Sequence, residues 1–358
     1  MHFVLFGYPK TGKTTLYNIL TGAHAAVTPA EDGRRESHER ICHVPDERLD
    51  RIAGLNPGKR RVAAAVDLID LAGISYGEVK TSVFLNALRG ADALIHAVRG
   101  FHDENVPHAR PTIDPAADIR AMDEELLLAD FISVEARLEK LDKDLKMMKS
   151  AEGEREREIL ARLHKRLAEG CPVRDCGLSE ADEKHVRAFA FLSQKPVLHA
   201  VNLDEGDAGR LRETEAALTA GRPGGGVLAF CGRIELEILE IGEAEEKRVF
   251  LAEYGLAEPT SLRFFPAAFR AMDRIFFYTV GKDEVRAWPV RRGATAHQAS
   301  AEIHTDIERG FIRAEVLPAA DLFAFGSLQA AKEKGHIRLE GKDYVVRDGD
   351  VIYFRFNA

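Results

Sequence analysis

The stretch His2-Phe3-Val4-Leu5-Phe6-Gly7-Tyr8-Pro9-Lys10-Thr11-Gly12-Lys13-Thr14-Thr15-Leu16-Tyr17-Asn18-Ile19-Leu20 decides how the chain is read. A short apolar run predicts a strand, the pattern G-x-x-x-x-G-K-T follows at Gly7 to Thr14, and a helical segment comes directly after. The glycines let the backbone curl so that successive N–H groups converge on phosphate oxygens at a helix N-terminus. The strand before and the helix after separate this phosphate-binding loop from a chance glycine turn. Lys10, Thr11, Gly12, Lys13, Thr14 and Thr15 are therefore candidate nucleotide contacts. Lys13 is placed to reach the β- and γ-phosphates, and the Thr14 hydroxyl to join the shell of a Mg²⁺ ion.

The next apolar strand, Ala64 to Ile69, ends in Asp70-Leu71-Ala72-Gly73. An Asp at a strand tip beside such a loop supplies the second Mg²⁺ contact, and a glycine three residues on can donate its N–H to the γ-phosphate. In many GTPases a glutamine that orients the attacking water comes next; here it is Ile74. Between the two strands, residues 21–46 are polar with neither helical nor strand period, the place of a switch I loop. Helical character from Val79 to Arg89 leads to a second buried strand, Ala93 to Arg99. It is followed by the polar loop Phe101-His102-Asp103-Glu104-Asn105-Val106-Pro107-His108, at the end of the sheet where open α/β folds keep their chemistry. His102 and His108 are both candidates on position alone.

From Asp118 to Met148 the period changes. Leu127, Phe131, Val134, Leu138, Leu141, Leu145 and Met148 repeat at steps of four and three, a coiled-coil seam. After a break at Ser150 to Gly153, Leu160, Leu163 and Leu167 share a second face, which predicts an antiparallel helical hairpin inserted into the nucleotide domain. The hairpin is expected to pack on itself, with surface left over for a partner. A further helix is expected over Ser179 to Ser193, with Ser179 as its cap.

Another buried strand, Pro196 to Val201, ends at Asn202-Leu203-Asp204-Glu205, where GTPases carry N-K-x-D. The Asp of that motif accepts from guanine N1–H and N2–H₂; Leu203 replaces its lysine and Glu205, one methylene longer, its aspartate. An Asn amide can pair with adenine N6 and N7 together, so Asn202 and Glu205 predict a preference for ATP over GTP. The strand Gly226 to Phe230 then reaches Cys231-Gly232-Arg233, expected to pack a backbone loop against the base. After helical segments to about Asp273, strand and turn signals alternate to Ala358. Arg286, Arg291, Arg292, Lys332, Lys334, Arg338, Lys342 and Arg347 are dense there, as a solvated face or an RNA-facing patch.

A chain of 358 residues exceeds one ordinary core and predicts two or three domains of about 100–200 residues each. Hydrophobic residues at 45% and charged residues at 30%, with no apolar run of bilayer length, predict a soluble protein without membrane contact. No signal-peptide pattern precedes the first strand, so a cytosolic location is expected. Cys42, Cys171, Cys176 and Cys231 are too few and scattered for a disulfide framework, and Cys171 and Cys176 lie too far apart for C-x-x-C; structural thiols are expected. A net charge of −8 argues against whole-surface attraction to nucleic acid but leaves room for a local basic patch.

The motif order, the helical insertion and above all the C-terminal segment resemble the Obg-like ATPase family, also called YchF. The resemblance is carried by Phe276 to Trp288, Ile303-His304-Thr305-Asp306, Gly310 to Val316, Gly341 to Val346 and Phe354-Arg355-Phe356-Asn357. It implies a ubiquitin-like β-grasp TGS domain at the C-terminus, ATP preference through N-x-x-E, matched by Asn202 and Glu205, and a hydrophobic residue after D-x-x-G, matched by Ile74. It also implies association with ribosomes and translation factors, and it selects His108 over His102 as the residue that positions the attacking water. Three features depart from the family. Its switch I signature Thr-Ile-Asp/Glu-Pro-Asn is absent between Val27 and Val44, switch II at Ile74 to Thr81 is short of glycines, and Lys10 and Thr14 stand where Asn and Ser are usual.

The expected molecule is a GTPase-type P-loop α/β protein with a mostly parallel sheet, a coiled-coil hairpin insertion and a C-terminal β-grasp domain. The boundaries are 1–117 and 193–274 for the nucleotide domain, 118–192 for the hairpin and 275–358 for the TGS domain. It binds ATP with Mg²⁺ through Thr14 and Asp70, with Lys13, Gly73 and His108 serving slow hydrolysis and Leu203, Glu205, Cys231 and Gly232 lining the base. A ribosomal, RNA or translation-factor partner is expected at the hairpin and TGS domain. The competing readings are a nucleotide-gated ribosome or RNA binder with little or no hydrolysis, and a GTPase with a degenerate base motif.

Overall fold

The computed structural model describes residues 1–23, 38–71, 73, 77, 82–104, 106, 112–220 and 226–357. Among them run twelve strands: β1 (His2–Phe6), β2 (His38–His43), β3 (Arg60–Val62), β4 (Ala65–Asp70), β5 (Ala93–Gly100), β6 (Val197–Leu203), β7 (Gly226–Phe230), β8 (Arg274–Val280), β9 (Glu284–Arg291), β10 (Phe311–Pro318), β11 (Arg338–Glu340) and β12 (Asp350–Phe356). They form two six-stranded sheets, ordered β2-β4-β1-β5-β6-β7 and β11-β10-β12-β8-β9-β3. The chain divides into two compact units, residues 1–40 with 67–264 and residues 41–66 with 265–358.

In the first unit β1 runs parallel to β4 and β5, β5 to β6, and β6 to β7. Every residue of β6 is buried, as is all of β5 up to Gly100, because helices cover both faces. Val4, Phe6, Leu94 and Met122 belong to one apolar cluster, and Val98, Val201, Ala229 and Ile234 to another. A parallel sheet aims the C-terminal ends of its strands at one edge. Gly7, Asp70, Gly100, Asn202 and Cys231 therefore all begin or end on that edge.

The helical insertion is a pair of antiparallel helices, Pro115–Met147 and Ala151–Ala168. The first starts three residues before Asp118, because Asp114 caps it by accepting from the Ala117 N–H and Pro115 takes the N1 position, where a missing N–H costs nothing. Ser150 caps the second by accepting from Gly153 N–H, so the expected break at 150–153 narrows to the cap itself. Val134, Leu141, Leu160, Leu163 and Leu167 share one core, with Leu127, Phe131 and Leu138 packed against it. The seam does not extend to Met148, which is exposed at the tip. Arg137 pairs bidentately with Glu156 at 2.8 and 2.7 Å, and Arg157 with Asp142 at 2.5 Å. The expected helix over Ser179 to Ser193 is shorter, Glu180–Val186, followed by 3₁₀ turns at Arg187–Phe189 and Leu192–Gln194. Ser179 is its cap, as expected.

The second unit is a β-grasp arrangement. A β8–β9 hairpin is followed by the Ala296–Ile303 helix, β10 pairs antiparallel with β11 and β12, and β12 meets β8 in parallel. Ile275, Phe277, Ala299, Val316 and Phe354 fill its core. The boundary drawn at residue 275 leaves out a piece of this unit. β3 adds to its sheet beside β9, and the Glu47–Gly54 helix is held by Arg48 on Asp348 and by the Tyr278 hydroxyl on Asp46. A short strand and a helix between two nucleotide-site motifs look, in sequence, like part of the nucleotide domain. Their partners lie more than 200 positions further on.

Candidate nucleotide site

Gly12 takes φ +92° at the N-terminus of the Lys13–Thr21 helix, and Lys10 is also left-handed at φ 61°, so the loop curls back over the helix axis. The Thr11 hydroxyl braces the curl by donating to Tyr8 O at 3.1 Å. Lys13 folds inward and donates to Gly7 O at 3.2 Å and Tyr8 O at 2.7 Å. Burial lowers its pKa to about 8, opposed by the charge of Asp70. Lys10 is exposed on the rim, and Thr15 is buried.

Thr14 and Asp70 come together, the hydroxyl donating to Asp70 Oδ2 at 2.8 Å. Asp70 is buried, and among the described residues its Oδ1 has no hydrogen-bond partner. Burial pushes the pKa of the carboxyl up, against the Thr14 hydrogen bond and the nearby Lys13 and His38. A hydroxyl next to a carboxylate with an unused buried oxygen is a hard-oxygen donor set, and these residues fit Mg²⁺. Gly73 lies close to the phosphate loop: a Cβ there would stand 2.9 Å from Pro9 Cα.

The base side is organised by Asn202. Its Oδ1 accepts from the Gly232 N–H at 2.9 Å and its Nδ2 donates to Thr11 O at 3.4 Å, so one amide clamps the loop after β7 to the phosphate loop. Both neighbours have to be glycine for the amide to fit. A Cβ on Gly12 would run into Nδ2, and one on Gly232 would stand 3.0 Å from Oδ1. The clamp uses one N–H and one lone pair of the amide, which leaves one N–H and one lone pair for a base. Leu203 is buried, and Cys231 donates to Asp204 O at 3.3 Å. The Cys231 thiol is pushed up to about 12 by burial and by the surrounding carboxylates, so it lines the site as an inert thiol. Glu205 is exposed and its carboxylate is held by Arg233 at 2.8 Å.

Four residues that motif reading passed over also shape the site. Asp204 accepts from His102 N–H at 3.0 Å and faces its ring nitrogen at 3.3 Å, which ties His102 to the base loop. Arg99 is buried beneath the same loop, donating to Phe101 O at 3.1 Å and covering the Phe101 ring at 4.5 Å. Arg233 holds Glu205. Glu125, on the Pro115–Met147 helix, accepts from the Tyr8 hydroxyl at 3.1 Å and from Gly77 N–H at 3.0 Å. No local pattern marks Glu125, since it is one acidic residue among many on a charged helix. His108, Ile74 and most of both switch segments lie outside the described residues. Among the described residues no cluster of three or more acidic, His or Cys side chains forms another metal site, and no helix is long and apolar enough to cross a membrane.

A strand-loop-helix phosphate cradle, an aspartate at the tip of the neighbouring strand and an asparagine clamp at the base loop define a P-loop NTPase of the GTPase type. The 50S ribosome-binding GTPase family model matches residues 2–160, and the C-terminal model of YchF GTPases, described as a protein of unknown function, matches residues 275–357. The chain belongs to the YchF, or Obg-like ATPase, family. It is 37% identical to the ribosome-binding ATPase YchF of Bacillus subtilis, covering 99% of this chain and 98% of that one. It is 32% identical to Obg-like ATPase 1 of Caenorhabditis elegans, covering 99% and 91%. The solved structure of the Schizosaccharomyces pombe YchF GTPase superposes with a TM-score of 0.80 at 26% identity, covering 99% of this chain and 97% of that one.

Proposed function

We propose that the chain binds ATP with Mg²⁺, hydrolyses it slowly in the cytosol, and uses the bound nucleotide to govern association with the ribosome or a translation factor. The observation that carries the nucleotide reading is the meeting of Thr14 with Asp70, whose second oxygen is buried and has no partner among the described residues. Bound there, Mg²⁺ would supply charge neutralisation at the β- and γ-phosphates. Lys13 would exchange the Gly7 and Tyr8 carbonyls for phosphate oxygens, Gly73 N–H would sense the γ-phosphate, and His108 would position water. Adenine selection rests on Glu205 and Leu203 in place of aspartate and lysine. The partner reading draws on the names of the relatives, with the helical arm and the C-terminal unit, in its TGS role, as the contact surfaces.

One observation favours the gated binder with little turnover. Glu125 joins the phosphate loop and the switch II backbone directly to the arm helix, so a nucleotide that moves Tyr8 or Gly77 moves a contact of the arm. Calorimetric titration of the nucleotide-free protein with ATP and with GTP, in Mg²⁺, tests the base reading. ATP binding at least tenfold tighter, about 1.4 kcal/mol, and lost in Lys13→Ala, is expected. Equal or tighter GTP binding would leave a GTPase with a degenerate base motif. His108→Ala should retain ATP binding and lose turnover; unchanged turnover would remove His108 from the mechanism.

A further inference from the structure

The sequence spacing of Cys171 and Cys176 suggested two unrelated structural thiols, yet the fold brings them together. They flank the 3₁₀ turn Val173–Asp175 at the end of the arm's second helix. Both are half-buried and converge on one carbonyl: Cys171 Sγ lies 3.7 Å and Cys176 Sγ 3.4 Å from Pro172 O, and Cys176 Sγ is 4.0 Å from Cys171 O. Arg166 donates to Cys171 Sγ at 3.0 Å, so the ionised form that attacks peroxides has a cation already against it. Cys42 and Cys231, by contrast, are buried.

We propose that Cys171 and Cys176 form a peroxide-oxidisable dithiol, with Cys171 as the attacking sulfur, Cys176 as the resolving one and Arg166 as the residue that positions and activates Cys171. A lone pair of the Cys171 thiolate attacks one oxygen of hydrogen peroxide and the O–O bond breaks. The departing hydroxide takes the proton that Cys171 gave up, leaving water and a sulfenic acid. Cys176 then attacks the Cys171 sulfur, the S–O bond breaks, and the departing hydroxide takes the Cys176 proton as a second water. Two thiols are oxidised to one disulfide and one peroxide is reduced to two waters. Burial holds the Cys176 thiol up at about 11, reinforced by its neighbour, so it waits as a thiol until the sulfenic acid appears beside it. The product would staple the turn that carries Val173, whose side chain is buried in the arm core and whose N–H donates to Ser193 Oγ at 3.0 Å.

Treatment of the full-length protein with hydrogen peroxide, alkylation under denaturing conditions and non-reducing tryptic mapping tests this. Cleavage after Arg174 separates the two cysteines, so the expected product is a pair of peptides joined through Cys171 and Cys176 and released by dithiothreitol. Two of the four thiols should be lost to alkylation. Cys176→Ser should carry Cys171 on to sulfinic acid instead, and Arg166→Leu, at an exposed position, should slow disulfide formation roughly fivefold or more. Oxidation spread over Cys42 and Cys231, disulfide-linked dimers, or full-rate closure in Arg166→Leu would overturn the proposal.

Discussion

Lys13 carries a proton problem that its setting makes measurable. In the nucleotide-free protein, burial holds its pKa at about 8, so above that pH the side chain is neutral. Phosphate oxygens favour the ammonium, so binding must draw a proton from solvent. ATP affinity should be flat below pH 8 and weaken above it by up to about tenfold per pH unit. Calorimetry at pH 8.5 in two buffers of different ionisation enthalpy should show net proton uptake, absent in Lys13→Arg. Asn202 offers a second prediction at this scale. Asn202→Ala leaves Thr11 O and Gly232 N–H without the clamp and should weaken ATP binding by about 1–3 kcal/mol, read as a rise in Kd. Gly12 and the phosphate-loop lysine were legible from the motif, because each backbone or charge requirement admits few residue types. The clamp itself was not, since an asparagine can be aimed at the base or at the loops, and only the fold decides which.

The helical arm depends on Asp130 for its root. This buried carboxylate on the first arm helix accepts from Leu192 N–H at 2.9 Å, Ser193 N–H at 2.7 Å and the Ser193 hydroxyl at 2.6 Å, which fixes the return of the chain into β6. Burial raises its pKa against those hydrogen bonds. Asp130→Ala strands three donors and should cost about 2–4 kcal/mol, seen as a lower denaturant midpoint, whereas Asp130→Asn should cost less because its carbonyl still accepts. The arm, β1, β5 and β6 could be read in advance, because a sustained heptad and fully apolar runs are long signals. The short pieces could not. The Glu180–Val186 helix gives way to 3₁₀ turns, with Ala190 left-handed at φ 48° between them, and Leu192 spends its N–H on Asp130, a contact 62 residues away in sequence. Met148 falls off the seam because the Ser150 cap turns the chain before its side chain can meet the second helix.

At the scale of the molecule, the second unit is made from two separated stretches. Asp46 caps the Glu47–Gly54 helix with one oxygen, through Arg48 and Leu49 N–H, and with the other accepts from the Tyr278 hydroxyl at 2.7 Å. Tyr278→Phe should therefore cost the second unit about 1–2 kcal/mol in chemical denaturation while leaving ATP affinity unchanged; a change in affinity with no change in stability would contradict this. Periodicity could not reveal the arrangement, since nothing local distinguishes residues 41–66 from a segment of the sheet they interrupt. The interleaving also imposes an order on synthesis. Residues 41–66 leave the ribosome early, and the 198 residues from 67 to 264 must be translated before their partners appear. At about 5–20 residues per second that interval is roughly 10–40 s. For that time Leu49 and Ile52, both wholly buried in the finished fold, have no completed core to enter. A nascent chain of this protein is thus obliged to hold an amphipathic helix, with Leu49 and Ile52 on its apolar face, in reserve, and anything that lengthens elongation lengthens its exposure.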